Sequence, residues 1–162
     1  MKERKIEIPI KVYAYNELSD ADRQLIDKAM EMTYHSYAPY SHFSVGAAAL
    51  LANGEIVCGS NQENAAYPSG LCAERTTLFY ANSQYPDVAV TTIAIAARNE
   101  SGNFVEQPVS PCGACRQVML ESQSRGSQPL RILLYGRKCI YEVDHVEDLL
   151  PLSFTAEDMA VE

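Results

Sequence analysis

The chain has 162 residues, of which 47% are apolar and 21% charged, and a formal net charge of −8. That length suits one domain with a full hydrophobic core, and the balance excludes fibrous and disordered classes. An acidic surface repels phosphate backbones, which argues against a nucleic-acid partner and leaves room for a small molecule in a local pocket.

The start, Met1-Lys2-Glu3-Arg4-Lys5, is basic, but no apolar stretch follows it, so it does not read as a secretory signal. No run of about eighteen apolar residues occurs, and no membrane span is expected. The cytoplasm is the expected compartment. Five cysteines do not make a disulfide scaffold in a chain of this size. In a reducing compartment a clustered trio binds metal or does chemistry.

Residues 1–15 alternate loosely, with Ile6, Ile8, Ile10 and Val12 on one side, and read as an extended edge arm. Ser19 can cap a helix that opens on Asp20 and Asp22, carries Leu25, Ala29, Met30 and Thr33 on one face, and ends before Pro39. The aromatic loop Tyr37-Ala38-Pro39-Tyr40-Ser41 is expected to be ordered. His42 to Leu51 reads as a strand whose small residues 46–49 imply close packing above it. Asn53-Gly54 signals a hairpin into a second strand over 55–59.

A polar loop, Ser60 to Pro68, leads to a helix over 72–82. Residues 91–97 form a short, mostly apolar strand of the kind buried on both faces. Pro111 is expected at the first position of another helix, which stops at a polar break from Ser122 to Gln128. A strand over 130–135 follows, with a short final strand within 138–143 and a helical turn ended by Pro151. Strands linked through helices are parallel and the opening hairpin is antiparallel. The expected architecture is α/β: a three-layer α-β-α domain spanning 1–162, with a mixed sheet of about five strands.

Two stretches carry chemistry. Gly70-Leu71-Cys72-Ala73-Glu74-Arg75 offers a thiol and then a carboxylate, and Pro111-Cys112-Gly113-Ala114-Cys115-Arg116 offers two thiols three apart. Both lie at predicted helix starts, where backbone N–H groups and the helix dipole favour thiolate. Three thiolates can hold one zinc ion and leave a fourth position for water, and Glu74 can move protons beside it. Arg75, three residues after Cys72, and Arg116, next to Cys115, can each offset the excess negative charge by donating to a sulfur. Other readings stay open on the residues alone. The pair Cys112–Cys115 fits a redox couple. A closed structural zinc site is also possible, with Cys58, Cys139 or a histidine as fourth ligand. Asn61 is equally a turn-former, Glu63 a solvated acid, Phe43 and Phe154 core residues, and Tyr67 a loop anchor.

The combination resembles a known family. Cys-Ala-Glu followed by Pro-Cys-x-x-Cys is similar to the zinc nucleoside and nucleobase deaminases. Tyr40-Ser41-His42-Phe43-Ser44-Val45-Gly46-Ala47-Ala48, Asn61-x-Glu63-Asn64-Ala65, Tyr67-Pro68-Ser69-Gly70-Leu71-Cys72-Ala73-Glu74-Arg75 and Leu149-Leu150-Pro151-x-x-Phe154 resemble the small homotetrameric cytidine deaminases. The resemblance runs over residues 19–158. It implies a cytidine-deaminase-like fold and zinc, one ion per subunit, on Cys72, Cys112 and Cys115. Glu74 would be the proton shuttle and Arg75 the donor to the ligand sulfurs. Asn61 and Glu63 would hold a ribose hydroxyl, with Phe43 lining the base pocket and Ala73 in the substrate-binding set. Tyr67 and Phe154 would reach into a neighbouring subunit's site, in a homotetramer that takes cytidine and deoxycytidine to uridine and deoxyuridine in pyrimidine salvage. An aminonucleoside-antibiotic deaminase of the same superfamily and a non-catalytic zinc protein are the alternatives. Gln62 stands where the family has an apolar residue, and its side chain is expected to face away from the ribose.

Overall fold

The structure, a computed structural model, describes residues 1–159. In chain order its elements are β1 (Lys11–Tyr13), α1 (Asp20–Met32), β2 (Ser44–Leu51), β3 (Ile56–Ser60), α2 (Ala73–Gln84), β4 (Val90–Arg98), α3 (Gly113–Gly126), β5 (Arg131–Tyr135) and β6 (Ile140–Val143). Short 3-10 turns punctuate the loops, including Thr33–His35 after α1 and Val146–Leu149 near the end.

The strands form one mixed sheet in the order β1-β6-β5-β4-β2-β3. Only β4 and β5, joined through α3, run parallel; the other neighbours are antiparallel. The sheet therefore has six strands rather than about five. The sixth is β1, three residues of the N-terminal arm. Pro9 keeps it short, since a proline has no N–H to give a ladder. It is held by ion pairs distant in sequence: Lys11 Nζ lies 2.9 Å from Glu142 Oε1 and 2.8 Å from Asp144 Oδ1.

Strand periodicity explains the three layers. Ala47, Ala49, Ile93, Ile95, Ile132 and Leu134 point to one core with α2 and α3. Ala48, Ala94, Ala96 and Leu133 point to the other, beneath Leu25, Ile26 and Ala29 of α1. Alternate side chains on a strand face opposite ways, so a strand buried on both faces is apolar throughout. Each large aliphatic side chain buried in these cores stabilises the fold by about 1.5–3 kcal/mol.

Close backbone approach sets where the helices sit. A Cβ on Gly46 would come within 2.1 Å of Ala29 O, so α1 lies directly on β2. A Cβ on Gly59 would come within 2.7 Å of Thr77 Oγ1, so α2 lies directly on β3. The Asn53-Gly54 hairpin forms as read, with Gly54 at φ 89° and the Asn53 side chain accepting from Glu55 N at 3.1 Å. Two boundaries differ from expectation. Cys112, not Pro111, borders the helix start, and α3 continues through the polar stretch to Gly126. Its buried Met119, Leu120 and Ser122 face the core, and packing overrides the polar composition of the last turn.

Candidate active site

Helices α2 and α3 bring their N-termini together. Cys72 is the N-cap of α2 and Cys112 the N-cap of α3, both in extended backbone conformation. Cys115, on the first turn of α3, is fully buried. The sulfurs of Cys72 and Cys112 are 3.9 Å apart and those of Cys112 and Cys115 3.4 Å, and all three lie within 4.8 Å of one another. Sulfurs at ~2.3 Å from a tetrahedral zinc ion are separated by roughly 3.8 Å, so the trio has the spacing of a zinc site. Cys58 and Cys139 stand outside the group, and no histidine joins it among the described residues.

The electrostatics suit a cation. The Cys115 thiol donates to Cys72, and with help from Arg75 pulls the Cys72 thiol down to about 5. Its hydrogen bond to Cys72 and its burial push the Cys115 thiol up. Arg75 NH2 lies 3.9 Å from Cys72 Sγ and 3.4 Å from Gly70 O, and Arg75 Nε is buried without a partner. A guanidinium left with an unused donor beside thiolates fits a site carrying excess negative charge. Arg116, the other candidate for the sulfurs, is engaged elsewhere. It donates to Pro111 O at 2.8 Å and Leu149 O at 2.7 Å, which fastens the C-terminal segment to the start of α3.

Glu74 sits on the first turn of α2 at 4% exposure. Burial pushes its carboxyl up, and the negative Cys72 adds to the shift. A carboxyl with a raised proton affinity suits general acid–base work.

A cleft of about 490 Å³ opens beside the thiols, lined by Tyr40, Asn61, Glu63, Tyr67, Cys72 and Arg75 among others. Glu63 Oε2 accepts the amide N–H of Tyr40 at 2.9 Å and of Ser41 at 3.3 Å. Hydrogen bonds from Ser41 and from the Tyr40 amide hold its carboxyl below the ordinary range, so it accepts only. Asn61 is buried and its side chain is tied to the backbone of Phe43 and Val45. Gln62, which also lines the cleft, donates its amide to His35 O and Ser60 Oγ.

Not every residue named from the sequence lines the cleft. Ala73 is fully buried in the core, so only its backbone is available. Phe43 joins the site through its carbonyl, which receives Asn61 Nδ2 at 2.9 Å. Tyr67 lines the cleft at 74% exposure, edge-on to Tyr40. Phe154, at 58% exposure, lies outside its own chain's cleft, its carbonyl receiving Gln117 Nε2 at 2.8 Å. The sequence reading missed Tyr40 and Ser41 as the amides that hold Glu63. Their place in an ordered proline-containing loop was the available signal.

Residues 19–127, which hold all three clustered cysteines and Glu74, match the family described as the cytidine and deoxycytidylate deaminase zinc-binding region. The chain belongs to this deaminase family. A cytidine deaminase from Halalkalibacterium halodurans is 43% identical over 141 residues, covering 85% of this chain and 98% of the relative. One from Sporosarcina psychrophila is 41% identical, over 85% of this chain and 93% of the relative. The crystal structure of cytidine deaminase from Burkholderia pseudomallei superposes with a TM-score of 0.70 at 36% identity, covering 85% of this chain and all of that one. As a member of the deaminase family, the chain has a cysteine trio that fits one zinc ion per subunit. The added strand β1 precedes the stretch that matches the family.

Proposed function

We propose that this chain deaminates cytidine and deoxycytidine hydrolytically, giving uridine and deoxyuridine and releasing ammonia. The observation that carries this is a zinc-spaced thiol trio whose Cys72 lines a cleft, with the buried Glu74 two residues along the chain, in the same cleft as Asn61 and Glu63, a donor–acceptor pair for a sugar. The close identity to cytidine deaminases over nearly their whole length supports the same substrate class.

Cys72, Cys112 and Cys115 hold the zinc, which supplies Lewis acidity that makes water nucleophilic at neutral pH. Glu74 accepts a proton from the attacking water as oxygen bonds to C4 of the cytosine ring. It delivers that proton to ring N3. It then takes the hydroxyl proton to the exocyclic amine as the C4–N bond breaks, and ammonia leaves. Water and cytidine are consumed, and uridine and ammonia are made. A buried carboxyl with a raised proton affinity can hold the proton between these steps. Arg75 offsets the thiolate charge, Asn61 donates to a ribose hydroxyl and Glu63 accepts from it. Phe43 and Ala73 complete the base side, Ala73 through its backbone.

The exposed Tyr67 and Phe154 suit a homotetramer in which each reaches a neighbour's site. We read residues 1–162 as one domain with an arm over 1–15, working in the cytoplasm without nucleic acid. The net charge of −8 supports the last point, and no described helix is long and apolar enough to cross a membrane. The test is the ultraviolet change of cytidine to uridine together with ammonia release. Equimolar products are expected, and a zinc-loaded chain with no turnover of any cytosine nucleoside overturns the reading.

A further inference from the structure

The turn between α1 and β2 reaches Asn61, one of the residues lining the cleft, through Ser36. Its hydroxyl donates to Asn61 Oδ1 at 2.5 Å, and the same oxygen accepts Val45 N–H at 2.8 Å. Asn61 Nδ2 donates to Phe43 O at 2.9 Å. The amide's orientation follows from these partners, because Val45 N–H can only donate and Phe43 O can only accept. A carbonyl oxygen has two lone pairs, and here both are taken. One of the two Nδ2 hydrogens is taken as well. What Asn61 can still offer the cleft is a single N–H donor. Glu63 beside it accepts only, with Oε2 held by the Tyr40 and Ser41 amides. A ligand hydroxyl between the two must accept from Asn61 and donate to Glu63.

Ser36 is itself fixed. Arg98 on β4 donates to Thr33 Oγ1 at 2.8 Å and Thr33 O at 2.9 Å, and lies over the Tyr34 ring at 3.8 Å. Ser60 Oγ donates to His35 O at 2.9 Å, and Gln62 Nε2 reaches the same carbonyl at 3.3 Å. The turn is thus anchored from β4 and β3 at once, with Ser36 aimed at Asn61.

We propose that Ser36 is a positioning residue for sugar recognition, its hydroxyl holding the Asn61 amide as a pure donor and so favouring nucleosides that keep their ribose hydroxyls over analogues that lack them. This rests on the cytidine-deaminating reading of the site. Without the Ser36 hydroxyl, one lone pair of Asn61 reopens and the turn loses its hold on the amide.

The experiment compares cytidine with 2′,3′-dideoxycytidine as substrates, and uridine with 2′,3′-dideoxyuridine as equilibrium ligands, for the zinc-loaded wild type, Ser36→Ala and Ser36→Thr. Loss of one hydrogen bond from a buried network corresponds to about a three- to tenfold effect. Ser36→Ala is expected to raise KM for cytidine and Kd for uridine by that factor. The turnover number should stay within about twofold, and the dideoxy constants should not move. Ser36→Thr keeps the hydroxyl and is expected to restore the wild-type ratio. Equal weakening of both ligands, a fall in turnover alone, or a Ser36→Thr variant that behaves like Ser36→Ala overturns the proposal. If the wild type deaminates cytidine and Ser36→Ala keeps its full discrimination, only the role of Ser36 falls. If the wild type deaminates no cytosine nucleoside, the functional reading falls and this proposal with it.

Discussion

At the thiol end of the cleft, the groups come from two short stretches, 72–75 and 112–115, each at a helix start. At the sugar end they come from four separate places in the chain: Ser36, the Tyr40–Ser41 amides, the Phe43–Val45 backbone and the 61–63 loop. At the first end, helix geometry sets each stretch locally and the packing of α2 on α3 brings the two together. The second is rigid because hydrogen bonds across 16 to 25 residues tie loops together. On the proposed function, chemistry falls to compact motifs and recognition to a distributed network. Damage to the two ends should differ in kind: all-or-none at the thiols, graded at the sugar.

The largest effect is expected at the thiols. Cys112→Ala removes one of the three clustered sulfurs, at the N-cap position of α3, and the protein should lose its zinc and fall below detectable turnover. Metal analysis of the purified variant checks this. A variant that kept both zinc and activity would put the ion elsewhere.

At the sugar end, Glu63→Gln keeps the shape and removes the charge. One oxygen must still serve the Tyr40 and Ser41 amides, so the side chain then turns an N–H toward the sugar. Hydrogen bonds to charged groups are worth about 1.5–3 kcal/mol, and KM for cytidine should rise by roughly 10- to 150-fold. Zinc content should be unchanged. Loss of zinc in this variant would erase the division between the two ends.

How much of this could be read in the chain follows the same division. Ser19 does cap α1, accepting from Asp22 N, and Asn53-Gly54 does make the hairpin, because both are local signals. The thiol trio was legible because helix starts and three-residue spacing place sulfurs on one side. Helix α3 was expected to begin at Pro111, but an N-cap needs only extended backbone, which Cys112 supplies. The sixth strand was hidden because β1 pairs over three residues and depends on Lys11 meeting Glu142 and Asp144 far along the chain. Arg75 and Arg116 were equal candidates for the sulfurs by adjacency alone, and the fold turns Arg116 to Pro111 O and Leu149 O. The hold of Ser36 on Asn61 has no local pattern.

A substitution away from both ends supplies the smallest effect and the control. Asp22 joins α1 to β5 through Arg131, which also reaches Glu142 at 3.1 Å. Burial alone would raise the Asp22 carboxyl, but hydrogen bonds from Arg131 and Ser19 outweigh it and hold the group below its usual value. A depressed carboxylate stabilises the fold above its unfolded value of about 3.9, and that contribution is lost as pH falls through the folded value. Asp22→Asn should therefore lower stability at neutral pH by about 1 kcal/mol and flatten the acid limb of the melting curve below pH ~4. Thermal unfolding across pH reads it directly. Cytidine turnover and KM should match the wild type.

Glu74 is where the division between the two ends is tested most directly, because the proposed mechanism gives it the proton transfers and no part in holding the metal. Glu74→Gln and the wild type are prepared together and assayed for zinc content, cytidine turnover and ammonia. Both are expected to carry one zinc per chain. The variant is expected to lose about 10²- to 10⁴-fold in turnover, the range for removing a general acid–base group. Near-normal turnover in zinc-loaded Glu74→Gln would contradict the assignment of the proton shuttle and, with it, the chemistry placed at this end of the cleft.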